Sequence, residues 1–533
     1  MIASLKPEER KSLALNPLSK KNQALIRRAG AHVPGLGSLA GSLYEAFVLE
    51  RFLRLPKTYR KRLDSFVDAS GVKKKTAWLS LYQPDMLMVL AASTNDAVRN
   101  RFLQGMPACS TTTIQGGDNL YFFRNLDYPA ASCWERNPAV FYHEPTEPEF
   151  QKFLSVASLG IDTAGLTGWN ESGIAVSLHA HFSKKISLKG VPIFFLLEEI
   201  LEQDRTIEEA IARCKKFKTI GSWAINITSF KEKKAVTVEL ANGSSSVQKA
   251  EACGLPHANN FQSPDFKKTE IHFSGAVFDD STYRRQTLEE ATRSLKLPAQ
   301  FRDALGVLGS HVDPSTNQER IFGNTISVVT TIQSVAFNPQ EDALYISTRD
   351  ETPTGLGPYL KLPFDFSKLD PNAEPELVTI PKQYGEEFLK ALHLYYQAYV
   401  SWQVRNEGPD VALSYLIQAT EALGSDPHLQ MQRGYFEMME GQYSEALKCF
   451  ETALKKDLSQ HLYQVALYFR AACHDLLGSR EKAIHDYQTI LNFKTVDEKL
   501  GKKARKRLNS AYKTSYCKRI EPDLQFVEPI NYR

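Results

Sequence analysis

A chain of 533 residues, 42% hydrophobic and 24% charged, is too long for one hydrophobic core and too apolar to be mainly disordered, so two or three folding units are expected. Its 65 basic and 61 acidic residues leave a formal charge of only +4, which provides no overall field to attract a nucleic acid.

Up to residue 108 the sequence opens polar and basic, without the apolar core of a signal peptide, and passes through a Gly-rich loop between Gly30 and Gly41. Leu43, Phe47, Phe52 and Leu55 then recur near helical spacing among Glu45, Glu50 and Arg54, until Pro56 ends the pattern. Such a stripe is read as a packing face, with a helix lying on a membrane surface as the rival reading. The basic runs at 73–75 and 502–507 read as solvated helix faces.

Between 109 and 365 the hydrophobic period alternates between strand and helix. Strands are expected at Asn119–Arg124, Gly173–His179, Trp223–Ser229, Ala235–Leu240, Ile326–Phe337 and Leu344–Thr348, and helices at Phe194–Glu202, Thr206–Lys215 and Ser281–Leu295. Ser327–Phe337 and Ala343–Ser347, joined through Asn338-Pro339-Gln340-Glu341-Asp342, read as a hairpin. Strands interleaved with helices suit a layered α+β domain. Pro363, Pro371, Pro375 and Pro381 then mark a linker, placed at 366–385. Beyond it, residues 386–533 repeat themselves: 410–423, 443–454 and 480–491 align with Ala412, Ala446 and Ala483 in register and Gly441 and Gly478 at turns. That period is close to the roughly 34 residues of tetratricopeptide repeats, against the alternative of an unrelated helical bundle.

No apolar run reaches membrane-spanning length, so no integral membrane segment is expected. The cysteines (Cys109, Cys133, Cys214, Cys253, Cys449, Cys473 and Cys517) are odd in number, scattered, and free of CxxC or Cys/His metal spacing. A reducing, cytoplasmic location with no disulfide framework, no metal and no cofactor is the expectation; Cys449 and Cys473 read as packing residues.

The chemistry-bearing stretch is Pro107-Ala108-Cys109-Ser110-Thr111-Thr112-Thr113, followed after a Gly116-Gly117 turn by Arg124-Asn125-Leu126-Asp127. An arginine beside a thiol favours the thiolate, and a carboxylate can hold an ammonium group. Three further segments follow in order: Gly168-Trp169-Asn170-Glu171-Ser172-Gly173, Ala258-Asn259-Asn260-Phe261, and Asp280-Ser281 with Arg284 and Arg285. Together with the late hairpin bearing Tyr345 and Arg349, this ordered set resembles the penicillin acyltransferase and choloylglycine hydrolase relatives of the N-terminal-nucleophile superfamily, over residues 80–365.

The resemblance implies a four-layer αββα domain at 109–365, preceded by a pro-segment at 1–108 that is cut from it at the Ala108–Cys109 bond. The freed α-amino group, with a reference pKa near 8, then serves as general base for the Cys109 thiol. By the same resemblance Arg124 lies against the sulfur, Asp127 orients the α-ammonium, Asn259 donates to an oxyanion, and Arg284, ranked ahead of Arg285, completes the site. Asn170, His179, His181 and Asn260 are candidate oxyanion or substrate contacts. The sequence departs from the family at Asn260, where a histidine is usual, at Leu178-His179-Ala180-His181, where bile-salt hydrolases carry a second oxyanion asparagine, and at Ala108, where a glycine is usual.

The implied activity is hydrolysis of an amide, or transfer of an acyl group from a small amide or thioester substrate, through an acyl-enzyme. A cysteine dyad with His179, His181, His257 or His311 is the competing mechanism. A catalytically silent scaffold that binds a protein or peptide through 386–533 is the competing function.

Overall fold

Three segments with little polar alternation, IAVSLHAH, SWAINITS and KAVTVELA, are buried along nearly their whole length, as strands between two covering layers must be. The computed structural model describes residues 108–532 and most of 46–94, apart from short stretches at 117, 129–137, 146–147, 159–165, 250–253, 273–274, 297, 348–353, 368–373 and 381–383. The Gly30–Gly41 loop, Leu43, Phe47, Phe52, Pro107, Cys133, Cys253 and Arg349 lie outside the described residues.

The chain begins with α1 (Lys57–Ser70) and α2 (Lys74–Ser93), then β1 (Ala108–Gly116), β2 (Asn119–Asp127), β3 (Pro138–His143), β4 (Phe153–Ser158), β5 (Thr167–Asn170) and β6 (Ile174–His181). Next come α3 (Phe194–Gln203), α4 (Ile207–Lys216), β7 (Ser222–Ser229), β8 (Lys234–Ala241), β9 (Ser244–Lys249), α5 (Pro264–Lys267), α6 (Gly275–Ser294) and α7 (Phe301–Gly306). The strands β10 (Val312–Asp313), β11 (Gln318–Glu319), β12 (Thr331–Asn338), β13 (Ala343–Ser347), β14 (Tyr359–Pro363) and β15 (Glu376–Val378) complete this part.

Two antiparallel sheets result, one of six strands in the order β1-β2-β12-β13-β14-β15 and one of seven in the order β3 to β9. Alternation along each strand assigns the layers. Ile174, Val176 and Leu178 of β6, with Ile225 and Ile227 of β7, turn to Leu196, Leu197 and Ile200 of α3 and Ile207 and Ala210 of α4. On the six-stranded sheet, Tyr121, Phe123, Ala336 and Tyr345 turn the other way, to Phe301, Ala304 and Leu305 of α7. Between the sheets, Phe122, Val335, Phe337 and Leu344 meet Leu154, Val156, Trp169 and Phe230. The order is helix, sheet, sheet, helix, the four-layer α+β arrangement. Thr206 caps α4 with a capping box to Glu209, which explains the sharp helix start legible at that position.

The N-terminal helices belong to this body. Asp85 of α2 accepts hydrogen bonds from Trp223 Nε1 (2.8 Å), Gly221 N (3.0 Å) and Ile193 N (3.3 Å), and Leu87, Met88 and Ala91 join the core beneath α3.

Two sequence expectations are corrected. The stretch read as a linker contributes β15, which extends the six-stranded sheet through β14, and Tyr384, whose hydroxyl accepts the His311 N–H at 2.7 Å; prolines at a sheet edge leave the outward N–H positions unneeded. The strand expected from Ile326 starts at Thr331, because residues 325–330 instead make a turn held by Thr325 and Thr331 hydroxyls to the backbone.

The remaining helices are α8 (Glu386–Tyr399), α9 (Pro409–Ala422), α10 (Pro427–Met439), α11 (Tyr443–Ala453), α12 (Gln460–Leu476), α13 (Arg480–Leu491), α14 (Glu498–Asn509) and α15 (Thr514–Cys517), and from α8 to α14 each packs against its neighbour in sequence. Residues 520–532 run along the face formed by α8, α10 and α12. Leu524 O accepts from Tyr395 at 2.6 Å, Phe526 O from Gln432 at 2.6 Å, and Glu528 pairs with His461 at 2.8 Å. The loop bearing Ile321 and Phe322 enters the same core. No helix among the described residues is long and apolar enough to cross a membrane.

Candidate functional site

β1 presents Cys109 at the edge of the polar end of the inter-sheet layer, fully covered at 2% exposure. Its antiparallel register with β2 sets Ala108 opposite Asp127 and Thr111 opposite Arg124. Arg124 therefore points into the same layer as Cys109: its Nη2 donates to Cys109 Sγ at 3.3 Å and to Leu178 O at 2.9 Å, while Nη1 donates to Thr167 Oγ1. The buried guanidinium is partly compensated by these acceptors on its two Nη groups, while its Nε is buried without a partner.

α6 supplies the opposite wall. Asp280 and Arg284 stand one helical turn apart, and Arg284 Nε donates to Asp280 at 2.8 Å. Held there, Arg284 Nη1 donates to Cys109 O at 2.7 Å and to Ser110 Oγ at 2.9 Å, and Nη2 to Asn259 Oδ1 at 3.0 Å. Asn259 Oδ1 also accepts the Cys109 backbone N–H at 2.9 Å, while its Nδ2 donates to Ala180 O at 3.0 Å. One amide hydrogen of Asn259 is left over, since a primary amide carries two. The Asn259 backbone is itself fixed by Ser281 Oγ at 2.9 Å.

Asp127 Oδ1 accepts from Thr331 Oγ1 at 2.7 Å. Its Oδ2 is buried without a hydrogen-bond partner, Arg284 Nη1 standing 4.0 Å away. Burial pushes Asp127 up to about 6, against the pull of Arg284. Burial also pushes the Cys109 thiol up; Arg124 draws it down, Asp127 adds to the rise and Arg284 opposes it. The sulfur is thus held as a thiol beside the Arg124 cation.

The other sequence candidates go elsewhere. Arg285 pairs with Glu289 along α6. Asn170 spends its polar atoms on the backbone of Leu201, Asp204 and Ile174, bracing the turn where Gly173 takes φ +83°. Asn260 Nδ2 donates to Thr282 at 3.3 Å. His179 Nε2 meets Thr111 Oγ1 at 2.8 Å, His181 Nε2 meets His257 Nε2 at 2.9 Å, and His311 Nδ1 meets Arg320 O at 3.0 Å, so each imidazole is engaged away from the thiol. Burial pushes His179 and His181 well down, His257 to about 3 and His311 to about 4, which leaves all four neutral.

Sequence reasoning did not single out Thr167, Thr331 or Glu239. Only the Asp280/Arg284 spacing carried a local signal. Thr167 and Thr331 gain significance solely from the register that brings them to Arg124 and Asp127. Glu239 lies within a buried strand, and its ligand-capable oxygen comes within 4.8 Å of nitrogens of His181 and His257.

Parts of this chain are similar to known proteins. Residues 114–351 match the family model described as acyl-coenzyme A:6-aminopenicillanic acid acyl-transferase. Protein dcd1B of Dictyostelium discoideum is 27% identical over 197 residues, which span 36% of this chain and 36% of that protein. The chain therefore matches about a third of that relative's length. A solved structure of the Caenorhabditis elegans N-acylethanolamine-hydrolyzing acid amidase ortholog is 16% identical, with a TM-score of 0.30 over 43% of this chain and 92% of that one. With the four-layer sandwich and the ordered Arg124-to-Asp127 and Asn259 segments already in place, the match over 114–351 makes this part of the chain similar to the acyl-coenzyme A:6-aminopenicillanic acid acyl-transferase family.

Proposed function

We propose that the chain is a self-processing cysteine amidohydrolase or acyltransferase, in which hydrolysis of the Ala108–Cys109 bond creates the working nucleophile. The observation that carries this reading is the double hold on Cys109: its nitrogen on Asn259 Oδ1 and its sulfur on Arg124 Nη2, within one buried group. A buried structural cysteine needs neither contact.

Once freed, the Cys109 α-amino group takes the thiol proton, with Asn259 Oδ1 and the unpartnered Asp127 Oδ2 as acceptors for the resulting ammonium. Arg124 offsets the charge on sulfur. The thiolate attacks the carbonyl of a linear amide or thioester, the remaining Asn259 amide hydrogen supports the oxyanion, and the α-ammonium protonates the departing amine or thiolate. Water, or an acceptor amine, resolves the acyl-enzyme. The intact mass of the purified chain beside Cys109→Ala tests the first step. A cut before Cys109 in the parent alone supports the reading and justifies an amide and thioester screen; two uncut chains that are both inert toward that screen refute it.

A further inference from the structure

Behind the nucleophile, three side chains that the acyl-transfer scheme does not use meet in the buried layer between the sheets. His181 ends β6, Glu239 lies on β8, and the small residues Ser222 and Ala224 of β7 stand between them in register. His257 comes from the segment joined to β1 by reciprocal backbone bonds with Thr111, at 3.0 and 2.8 Å. All three are buried to 2% exposure or less. The His181 and His257 rings lie parallel with centroids 5.0 Å apart and meet edge to edge with their Nε2 atoms 2.9 Å apart, and one carboxylate oxygen of Glu239 lies within 4.8 Å of a nitrogen of each.

From this geometry we propose that His181, His257 and Glu239 form a buried site for a divalent metal ion of the zinc class. Two imidazole nitrogens and a carboxylate oxygen are the donor set of that class, whereas magnesium and calcium want more oxygens and copper(I) wants sulfur. On a tetrahedral zinc with Zn–N of about 2.0–2.1 Å, two ligand nitrogens lie roughly 3.3 Å apart, so the rings need to part by a few tenths of an ångström and each to swing by roughly 35°, which turns its Nε2 lone pair from the other ring to the metal. Glu239 is already aimed by the backbone N–H groups of Gln262 and Ser263, and each of its oxygens keeps a lone pair for a metal. Burial keeps both imidazoles in the neutral, ligating form and raises Glu239, a cost that a cation would offset. The ion would tie β6 and β8 to the segment that runs from His257 through Asn259 to Ser263. Its role is thus to fix the height at which Asn259 meets Cys109, whatever reaction Cys109 performs.

The test uses the full-length chain carrying Cys109→Ala, without a histidine tag, so that neither a thiolate at the nucleophile nor a tag binds metal and no cleavage intervenes. After growth with zinc and dialysis, elemental analysis is expected to return about one zinc per chain, and cobalt(II) loading of the stripped chain a visible spectrum of four-coordinate type without a thiolate charge-transfer band. His257→Gln and Glu239→Gln should each retain at least about tenfold less metal while keeping the parent circular dichroism. Should both variants misfold, zinc titration of the stripped parent against a chromophoric chelator decides alone. No zinc and no cobalt spectrum in the folded parent would leave the cluster a closed hydrogen-bond network and overturn the site, as would unchanged metal in folded His257→Gln.

Discussion

Asn259 Oδ1 accepts the Cys109 backbone N–H at 2.9 Å from 150 residues away in sequence, and the same oxygen is held by Arg284 Nη2 at 3.0 Å. The carbonyl side of Asn259 thus faces the Cys109 nitrogen, and the proposed oxyanion contact falls to its remaining amide hydrogen. Asn259→Ala removes both functions. Turnover by the processed enzyme is expected to fall about 10²–10³-fold, and cleavage before Cys109 to slow, as read by steady-state kinetics and intact mass. Unchanged rates would remove Asn259 from the mechanism.

Arg124 is the largest influence opposing the burial that raises the Cys109 thiol. In Arg124→Gln the thiol should rise further, so the alkylation rate with iodoacetamide moves to higher pH and falls at neutral pH. Arg124→Lys keeps the charge but loses the donors shared with Thr167 and Leu178, and should lie between the two. A pH profile that coincides with the parent's in both variants would show that this contact does not tune the sulfur.

Asp85 accepts from three buried donors, Trp223 Nε1 and the backbone N–H groups of Gly221 and Ile193. Asp85→Ala strands them in the interior, at a cost of about 2–4 kcal/mol to be read by chemical denaturation. If the chain is cut at Ala108, the parent's N-terminal piece should co-elute with the remainder in gel filtration, and the Asp85→Ala piece should separate more readily.

Buried His311 titrates at about 4, below the unfolded value of roughly 6.5, because burial disfavours the cation. A depressed cation contributes stability that is fully present above about 6.5 and is lost as pH falls toward 4, where the unfolded chain binds the extra proton. His311→Gln should therefore be less stable than the parent at pH 7, with the gap narrowing by pH 4.5. A gap that widens in acid would contradict the sign.

The helical part and the catalytic part share one core, since Ile321, Phe322 and Val329 pack among α8, α10 and α12. Gly323 between them takes φ +82°, and a Cβ there would lie 2.4 Å from Val527 of the C-terminal segment. Deletion of 386–533 is accordingly expected to give an insoluble or molten product, and Gly323→Ala a lowered thermal midpoint. A deletion variant that stays folded by circular dichroism would restore the separable two-part organisation anticipated from the repeat pattern.

Several strands were legible because their residues answer to local rules. Ser222–Ser229 and Lys234–Ala241 are rich in β-branched residues, and Asp342, at φ 44°, turns the β12–β13 hairpin where the sequence breaks. β1 was not, because Ala-Cys-Ser-Thr-Thr-Thr-Ile-Gln-Gly lacks an apolar alternation; its inward face meets polar partners such as Ser177, His179 and Thr228. Pro-rich 366–385 looked like a linker because a short edge strand has no periodic signature.

Sequence by itself determined that a mixed α+β stretch precedes a helical one, several of the main strands and helices, and the order of the Cys109, Arg124, Asp127 and Asn259 segments, since spacing and residue type are local properties. Only the tertiary structure decided that Arg284 and not Arg285 meets Cys109, that Asn170 braces a turn, that residues 520–532 lie on the chain's own helices, and that Glu239 joins His181 and His257. Those outcomes depend on strand register and on which helix face turns inward, and a single-residue slip in either would exchange every partner.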